Sequence, residues 1–164
     1  MTNNDVFRRL RYLFNYSDLQ IIAIFKLADY EVKIADVSRC LRKKDDPFLK
    51  EMSDRELAIF LDGLIIETRG KKEGPQPEPE SRLSNNIILR KLKIALNLKT
   101  DDILDLFASI DKNISKHELS AFFRNPNHKS YRPCLDQYLR NFLTALQKKY
   151  KNKLGQHSIS RTKI

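Results

Sequence analysis

Basic side chains at helical spacing are the residues of this sequence best placed to bind a ligand. Two groups share the patterns "RRLR" and "RKLK", and each lies opposite an apolar stripe of the same segment. A third group follows near the carboxyl end, where lysines surround Tyr150. Such a surface can follow a phosphate backbone, with the tyrosine stacked on a base. The candidate nucleic-acid-binding residues are Arg8, Arg9, Arg11, Arg90, Lys91, Lys93, Lys148, Lys149, Lys151 and Lys153.

The positive charge is concentrated toward the carboxyl end of the chain. Residues 3–64 contain 11 basic and 11 acidic residues, residues 85–146 contain 10 and 6, and residues 147–164 contain 6 and none. A partner attracted by the net charge of +10 would therefore meet the second half of the chain and its tail. The alternative interpretation is a solvated helix exterior followed by a disordered, solubilising tail.

The residue types that support catalysis or metal binding form no recognisable pattern. The chain has no HExxH, no GxSxG and no glycine-rich loop that opens a helix. The acid pairs Asp45–Asp46 and Asp101–Asp102 occupy different places in the two halves, which favours solvated acids over a metal site. Cys40 and Cys134 stand where the other half has an apolar residue, which predicts buried, inert thiols. We therefore expect a protein that is not an enzyme and that holds no metal or cofactor.

A duplication organises the chain. Residues 3–64 align with residues 85–146 at a constant offset of 82, without a gap, and a match of this length indicates an internal repeat. Between the copies, prolines alternate with polar residues, as is typical of a linker. The predicted divisions are 1–66 for helical repeat 1, 67–84 for a Pro/Gly-rich linker, 85–146 for helical repeat 2 and 147–164 for a basic carboxyl-terminal tail.

Each copy is predicted to form four short helices, because apolar residues recur at helical spacing between polar, turn-forming segments. Ser17, Ser53 and Ser115 open capping boxes, and Asn4 and Asn86 are predicted to cap the first helix of each copy. One helical unit of this size is marginal as an independent fold. The predicted fold is therefore all-α, with two tandem four-helix repeats packed as a pseudo-symmetric helical unit.

A helix-turn-helix is a sharper alternative for the first copy. The segment "IFKLADYEVKIADVSRCLRK" contains a helix, a short turn and a polar helix. Ser38, Arg39 and Arg42 would then lie on or near the face that reads the DNA major groove. The turn is longer than usual, and Ala121 replaces Arg39 in the second copy, so ordinary helix packing also explains the pattern.

The repeated residues resemble a known family. Both copies carry "NN…LR.L…L" in their first helix, an Asp after the second helix and "D…L..FL..L" in the fourth. The chain resembles the YehS-like bacterial proteins, which carry a duplicated domain of unknown function, over nearly everything except the linker and the tail. The resemblance implies a small, all-helical, tandem protein of the bacterial cytoplasm. It brings no established activity, so it assigns no functional residue.

These observations leave three functions open. The first is a cytoplasmic binding or adaptor protein that binds nucleic acid through repeat 2 and the tail. The second is a protein-interaction module or homodimeric scaffold, with Phe48, Phe122 or Tyr131 as the exposed contact. The third is an enzyme with its site between the copies. No apolar run approaches the roughly 20 residues that a membrane-spanning helix needs, so a membrane partner is not expected.

Overall fold

The structure, a computed structural model, describes the backbone of residues 1–162 and the side chains of residues 1–151. Within that part of the chain it contains eight α-helices and no β-strand, and this confirms the predicted all-α fold of two tandem four-helix repeats. The first repeat forms α1 to α4 and the second forms α5 to α8. The helices are α1 (Asn3–Phe14), α2 (Asp18–Leu27), α3 (Ile34–Cys40), α4 (Asp54–Arg69), α5 (Asn85–Ala95), α6 (Thr100–Ser109), α7 (Lys116–Phe122) and α8 (Asp136–Thr162).

Short polar side chains start and stop the helices. Ser17, Ser53 and Ser115 each accept a hydrogen bond from a backbone N–H of the first turn. The reciprocal bond of the predicted capping box is present at Ser17 and Ser53. Asn15 and Asn97 follow the first helix of each repeat in the left-handed conformation, with φ of 53° and 52°. Asparagine tolerates this conformation better than most residues, so the repeated Asn ends each helix at the same place.

The prediction that Asn4 and Asn86 cap the first helices is wrong. The caps are Thr2 and Ser84, two residues earlier, whose hydroxyl groups accept from the backbone N–H of residues 5 and 87. Asn4 and Asn86 lie inside α1 and α5 and are buried. A buried amide needs hydrogen-bond partners, so their repetition in both copies has a cause other than capping.

Asn4 ties α1 to the segment between α3 and α4. Its Nδ2 donates to the carbonyl oxygen of Cys40 at 3.0 Å and to that of Lys50 at 2.8 Å. Its Oδ1 accepts from the backbone N–H of Met52 at 2.9 Å. One side chain thus satisfies three backbone groups that no helix pairs, and it holds both ends of the loop.

The described chain divides into two compact units, residues 1–98 and the residues from Lys99 onward. In the first unit, α4 packs against α1, α2 and α5, so the first helix of repeat 2 lies on the last helix of repeat 1. Its aromatic centre is formed by Phe7, Phe25 and Phe60, with ring centroids 4.9 to 6.1 Å apart. The predicted pseudo-symmetric packing of the two whole repeats stays a prediction.

The linker is attached to the first unit at its carboxyl end. Helix α4 continues to Arg69, slightly beyond the predicted start of the linker, and Gly70 follows with φ of 85°. Asp54, the first residue of α4, accepts from the Asn3 side chain at 2.7 Å and from the backbone N–H of Leu83 at 2.8 Å. The pKa of Asp54 is lowered, first by the Asn3 amide and then by the Leu83 N–H.

In the second unit, α6 packs against α7 and α8, and Phe107 and Phe142 stack with centroids 6.4 Å apart. Helix α8 extends to Thr162, so the backbone of residues 147–162, predicted to be a separate tail, continues the last helix of repeat 2. Residues 147–164 hold a single Gly and no Pro, which suits this extension.

Candidate nucleic-acid interface

The basic residues of α1 are largely neutralised by nearby carboxylates. Arg8 pairs with Asp5 at 3.3 Å and also donates to the carbonyl oxygen of Arg42 at 3.3 Å. Arg11 lies 3.7 Å from a carboxylate oxygen of Asp18. Arg9 is half-buried. The basic face of the first repeat is therefore compensated within its own helix pair and offers little free positive charge.

The equivalent face of α5 lacks these acids. Residues Ile87 and Thr100 occupy the positions at which the first repeat has Asp5 and Asp18. Arg90 is exposed and makes no ion pair among the side chains of residues 1–151, and Lys93 is half-buried. The loss of two carboxylates, rather than a gain of basic residues, accounts for the excess positive charge on this helix.

Lys91 does not belong to that exposed face. It is only 8% exposed, and its ammonium group pairs with Asp62 of α4 and, at 2.8 Å, with Glu80 of the linker. Burial raises the pKa of Asp62, and the hydrogen bond from Lys91 opposes that shift. The prediction placed Lys91 opposite the apolar stripe, but α5 packs on α4 and covers that side. Lys91 joins α4, α5 and the linker instead.

The lysines of α8 lie on its solvent-facing side. Lys148, Lys149 and Lys151 are exposed, and Tyr150 is half-buried, with a pKa that burial raises. Lys148 donates to the carbonyl oxygen of Ser109 at 2.7 Å, where a positive charge stabilises the carboxyl end of α6. The side chain of Lys153 lies outside the described residues.

Acidic residues of α6 share this surface with the lysines. A groove of about 260 Å³ lies along α6 and α8. Lysines therefore occupy one wall and carboxylates the other, so the acids of α6 offset part of the positive charge of Lys148 and Lys149. The residues that line the groove are Asp102, Asp105, Leu106, Ser109, Lys148 and Lys149.

The predicted candidates are divided between the two units of the described chain. Arg8, Arg9 and Arg11 belong to α1, Arg90 and Lys93 to α5, and the lysines to α8. The first two helices lie in the unit of residues 1–98 and the third lies in the other unit. Arg90 and the exposed lysines of α8 retain the properties that binding to phosphate requires.

The aromatic residues predicted as protein contacts differ widely in exposure. Phe48 is 63% exposed, Tyr131 is half-buried, and Phe122 is buried beside Tyr138 with ring centroids 5.1 Å apart. Sequence reasoning placed Phe48 among apolar contacts and missed its basic surroundings. The signal was present, because Arg42, Lys43 and Lys44 precede the ring by four to six residues.

The predicted reading face of a helix-turn-helix is occupied by local contacts. α3 spans seven residues and packs on α2. Arg39 donates through Nε to the carbonyl oxygen of Phe48 at 3.0 Å, and Arg42 pairs with Asp46 at 3.0 Å. Both guanidinium groups therefore brace the loop after α3.

The described residues show no sign of a metal centre or a membrane span. Among them, no three His, Cys, Asp or Glu side chains converge as metal ligands. No described helix has the length and apolar character that crossing a bilayer requires. Neither Cys40 nor Cys134 forms a disulfide, both are buried, and burial raises the pKa of both thiols, that of Cys134 to about 12.

Comparison with known proteins agrees with the duplicated architecture. The family model described as "Protein of unknown function (DUF1456)" matches the chain twice, at residues 3–70 and 85–151. The chain is 40% identical over 156 residues to the uncharacterized protein YehS of Escherichia coli (strain K12), which covers 94% of this chain and 100% of that protein. No solved structure matches the chain. The chain thus belongs to the DUF1456 family, whose domain it carries in two copies.

Proposed function

We propose that this protein is a cytoplasmic, non-enzymatic binding protein that binds nucleic acid through repeat 2 and its carboxyl-terminal helix. The observation that carries the proposal is the group of exposed lysines on α8, in a segment without a single acidic residue. Phosphate groups repeat along a nucleic acid, so several exposed cations on one helix can neutralise more than one of them.

The charge pattern of the two repeats supports the same assignment. The first repeat carries equal numbers of acidic and basic residues, and its exposed arginines on α1 are paired. The second repeat replaces both pairing acids and leaves Arg90 exposed. The first helices of the two copies thus differ in charge, as expected when the surface of α5, rather than that of α1, meets a polyanion.

A salt-dependent titration with matched variants tests the proposal. The logarithm of the binding constant for a fluorescent 20-base-pair DNA should fall linearly with the logarithm of the salt concentration. The slope should be about −0.9 per phosphate neutralised. In a Lys149→Glu/Lys151→Glu variant, the magnitude of the slope should fall by about 1.8 if each lysine neutralises one phosphate. Both residues are exposed, so the change should leave the fold intact.

The control is Lys26→Glu/Lys33→Glu, which makes the same change in net charge on exposed residues of repeat 1. It should leave the slope unchanged. Equal losses in both variants would show that net charge alone attracts the DNA. Undiminished binding by the α8 variant would refute the assignment to this helix.

A protein-interaction module or homodimer is the competing function, and one observation favours it. Tyr12 and Ile94 are equivalent residues of the two repeats, and they are 57% and 46% exposed. A dimer that uses these two residues should appear in light scattering as a mass that rises with concentration and does not respond to salt. Tyr12→Ser/Ile94→Ser should abolish it, whereas a constant monomer mass would exclude it.

A further inference from the structure

The loop between α3 and α4 holds an exposed aromatic ring in a fixed position. The backbone N–H of Phe48 donates to Oδ1 of Asp46 at 2.8 Å, and its carbonyl oxygen accepts from Nε of Arg39 at 3.0 Å. Arg42 pairs with Asp46 and lies over the Phe48 ring, 5.6 Å from the centroid. Because both polar groups of the Phe48 backbone are held, the ring can meet a ligand with little loss of conformational entropy.

Both ends of this loop are attached to the core of the first unit. Asn4 binds the carbonyl oxygens of Cys40 and Lys50 and the N–H of Met52. The N–H of Lys50 also donates to the carbonyl oxygen of Arg39 at 3.2 Å. The buried asparagine therefore makes the loop a rigid platform rather than a flexible connection.

The loop that carries the ring is rich in basic residues. The segment from residue 39 to residue 50 contains five basic and two acidic residues, and one of the acids, Asp46, is already paired. Lys43 and Lys44 are exposed, and neither makes an ion pair among residues 1–151. An exposed ring beside free cations is the combination that binds unpaired bases and their phosphates.

The second repeat shows that the loop can form without this ring. There, the N–H of Ser130 donates to Nδ1 of His128 at 3.0 Å, and the N–H of Arg132 donates to the carbonyl oxygen of Ala121 at 3.2 Å. These bonds match those of Phe48 and Lys50 at the offset of 82. Folding of the loop thus requires no aromatic residue at this position.

The basic residues differ between the two loops in the same way. Lys43 and Lys44 correspond to Asn125 and Pro126, and Phe48 corresponds to Ser130. The net charge of the two loops is nevertheless the same, since residues 39–50 hold five basic and two acidic residues and residues 121–132 hold three basic and no acidic residues. The first repeat therefore differs chiefly by an exposed ring, on a loop whose backbone bonds are common to both copies. Formation of the shared loop does not require this ring, so the ring points to a ligand.

We propose that the loop of residues 41–53 is a binding site for single-stranded nucleic acid. An unpaired base stacks on Phe48, and the adjacent phosphates meet Lys43 and Lys44. Duplexes bind less well here because the faces of their bases are already stacked on one another. The inference rests on the proposed nucleic-acid function but assigns a second site, in repeat 1, with its own preference for unpaired strands.

Fluorescence anisotropy with a labelled 20-nucleotide single strand and the corresponding duplex tests this site. Phe48→Ala should weaken binding of the single strand roughly 5- to 150-fold, which is the effect of losing one base–aromatic stack. Binding of the duplex should change less than about two-fold, within the spread expected for a residue outside a duplex site. Phe48→Tyr should retain single-strand affinity, because it preserves the ring.

The matched control is Ser130→Ala in the equivalent loop, which should leave both affinities unchanged. Lys43→Asn/Lys44→Asn should reduce the magnitude of the single-strand salt slope by about 1.4, or 0.7 per phosphate. Unfolding curves confirm that each variant folds. Equal losses for strand and duplex, or no loss in Phe48→Ala, would overturn the proposal.

The outcomes separate this site from the surface on α8. Loss of single-strand binding in Phe48→Ala, with no effect of Lys149→Glu/Lys151→Glu, supports the loop site and refutes the α8 assignment. The reverse result refutes the loop site alone. If the protein binds neither the single strand nor the duplex, both proposals are refuted. If it binds polyglutamate through Phe48 but does not bind the single strand, the loop binds an acidic peptide and the nucleic-acid proposal for it is wrong.

Discussion

Gly63 is the residue at which a one-carbon change tests the packing of the first unit most directly. It lies in α4, buried against α2. A Cβ at this position would lie 2.1 Å from the carbonyl oxygen of Ile24 and 2.9 Å from the carbonyl carbon. Ordinary van der Waals contact is longer by more than about 1 Å. Since the obstacle is backbone, no rotation of a side chain relieves it, and α2 and α4 must move apart.

The magnitude follows from two opposing effects. Overpacking of a core typically costs about 1–3 kcal/mol, and a clash with backbone belongs near the upper end of that range. Alanine is favoured over glycine in a helix interior by about 1 kcal/mol. We therefore expect Gly63→Ala to lower the free energy of unfolding by about 2 kcal/mol, with a fall in Tm of roughly 4–8 °C for a chain of this size.

Urea unfolding followed by circular dichroism at 222 nm measures the change. Glu67→Ala, an exposed substitution in the same helix, serves as the control and should change stability by less than about 0.5 kcal/mol. The second repeat carries Ala145, also buried, at the equivalent position, so the close approach is a property of the first repeat. A Gly63→Ala variant as stable as the native protein would refute the described contact between α2 and α4.

Three further predictions follow from buried or paired polar groups. Asn4→Leu should lower the free energy of unfolding by at least about 3 kcal/mol in urea, because it strands three backbone groups; a loss below 1 kcal/mol would contradict that role. Lys91→Met should lower the free energy of unfolding by about 2–4 kcal/mol, because it leaves two partly buried carboxylates without their cation. The double variant Lys91→Met/Asp62→Leu should regain part of that stability, and a double variant no more stable than the single one would exclude this cause. The pKa of the Asp54 carboxyl should lie below 3.8 when measured by NMR. Its contribution to stability is therefore present above pH 3.8 and is lost as the pH falls through the lowered pKa of the folded protein. A titration midpoint at or above 3.8 would refute the two hydrogen bonds.

The thiols provide a chemical test of burial. Burial raises the pKa of Cys134 to about 12, so almost none of it is thiolate at pH 8. Both cysteines should react with Ellman's reagent only slowly in the native protein and rapidly in 6 M guanidinium chloride. Rapid reaction of one thiol under native conditions would show that its helix opens or that the residue is exposed.

Features that depend on neighbours in the chain were predictable. The capping serines at Ser17, Ser53 and Ser115 act through the next three residues, so their patterns predict the starts of three helices. Asn15 and Asn97 end helices through their own backbone conformation. The candidate surfaces were less predictable, because exposure of a cation depends on what packs beside it.

Lys91 and Asn4 illustrate that limit. Helical periodicity assigns Lys91 to the side opposite the apolar stripe, yet α4 and the linker cover it with two carboxylates. Asn4 sits where a cap is plausible, but its partners lie 36 to 48 residues away in the sequence. Contacts of that kind leave no local pattern to recognise.

The sequence by itself determined the duplication, the helices of each copy and the concentration of positive charge toward the carboxyl end, because these depend on composition and on short-range spacing. The tertiary structure alone decided which charges are exposed. It paired Arg8 and Arg11 of α1 with carboxylates, buried Lys91 between α4, α5 and the linker, and placed Arg42 over the ring of Phe48. The physical reason is that burial and ion pairing depend on distances between residues far apart in the chain, and folding sets those distances.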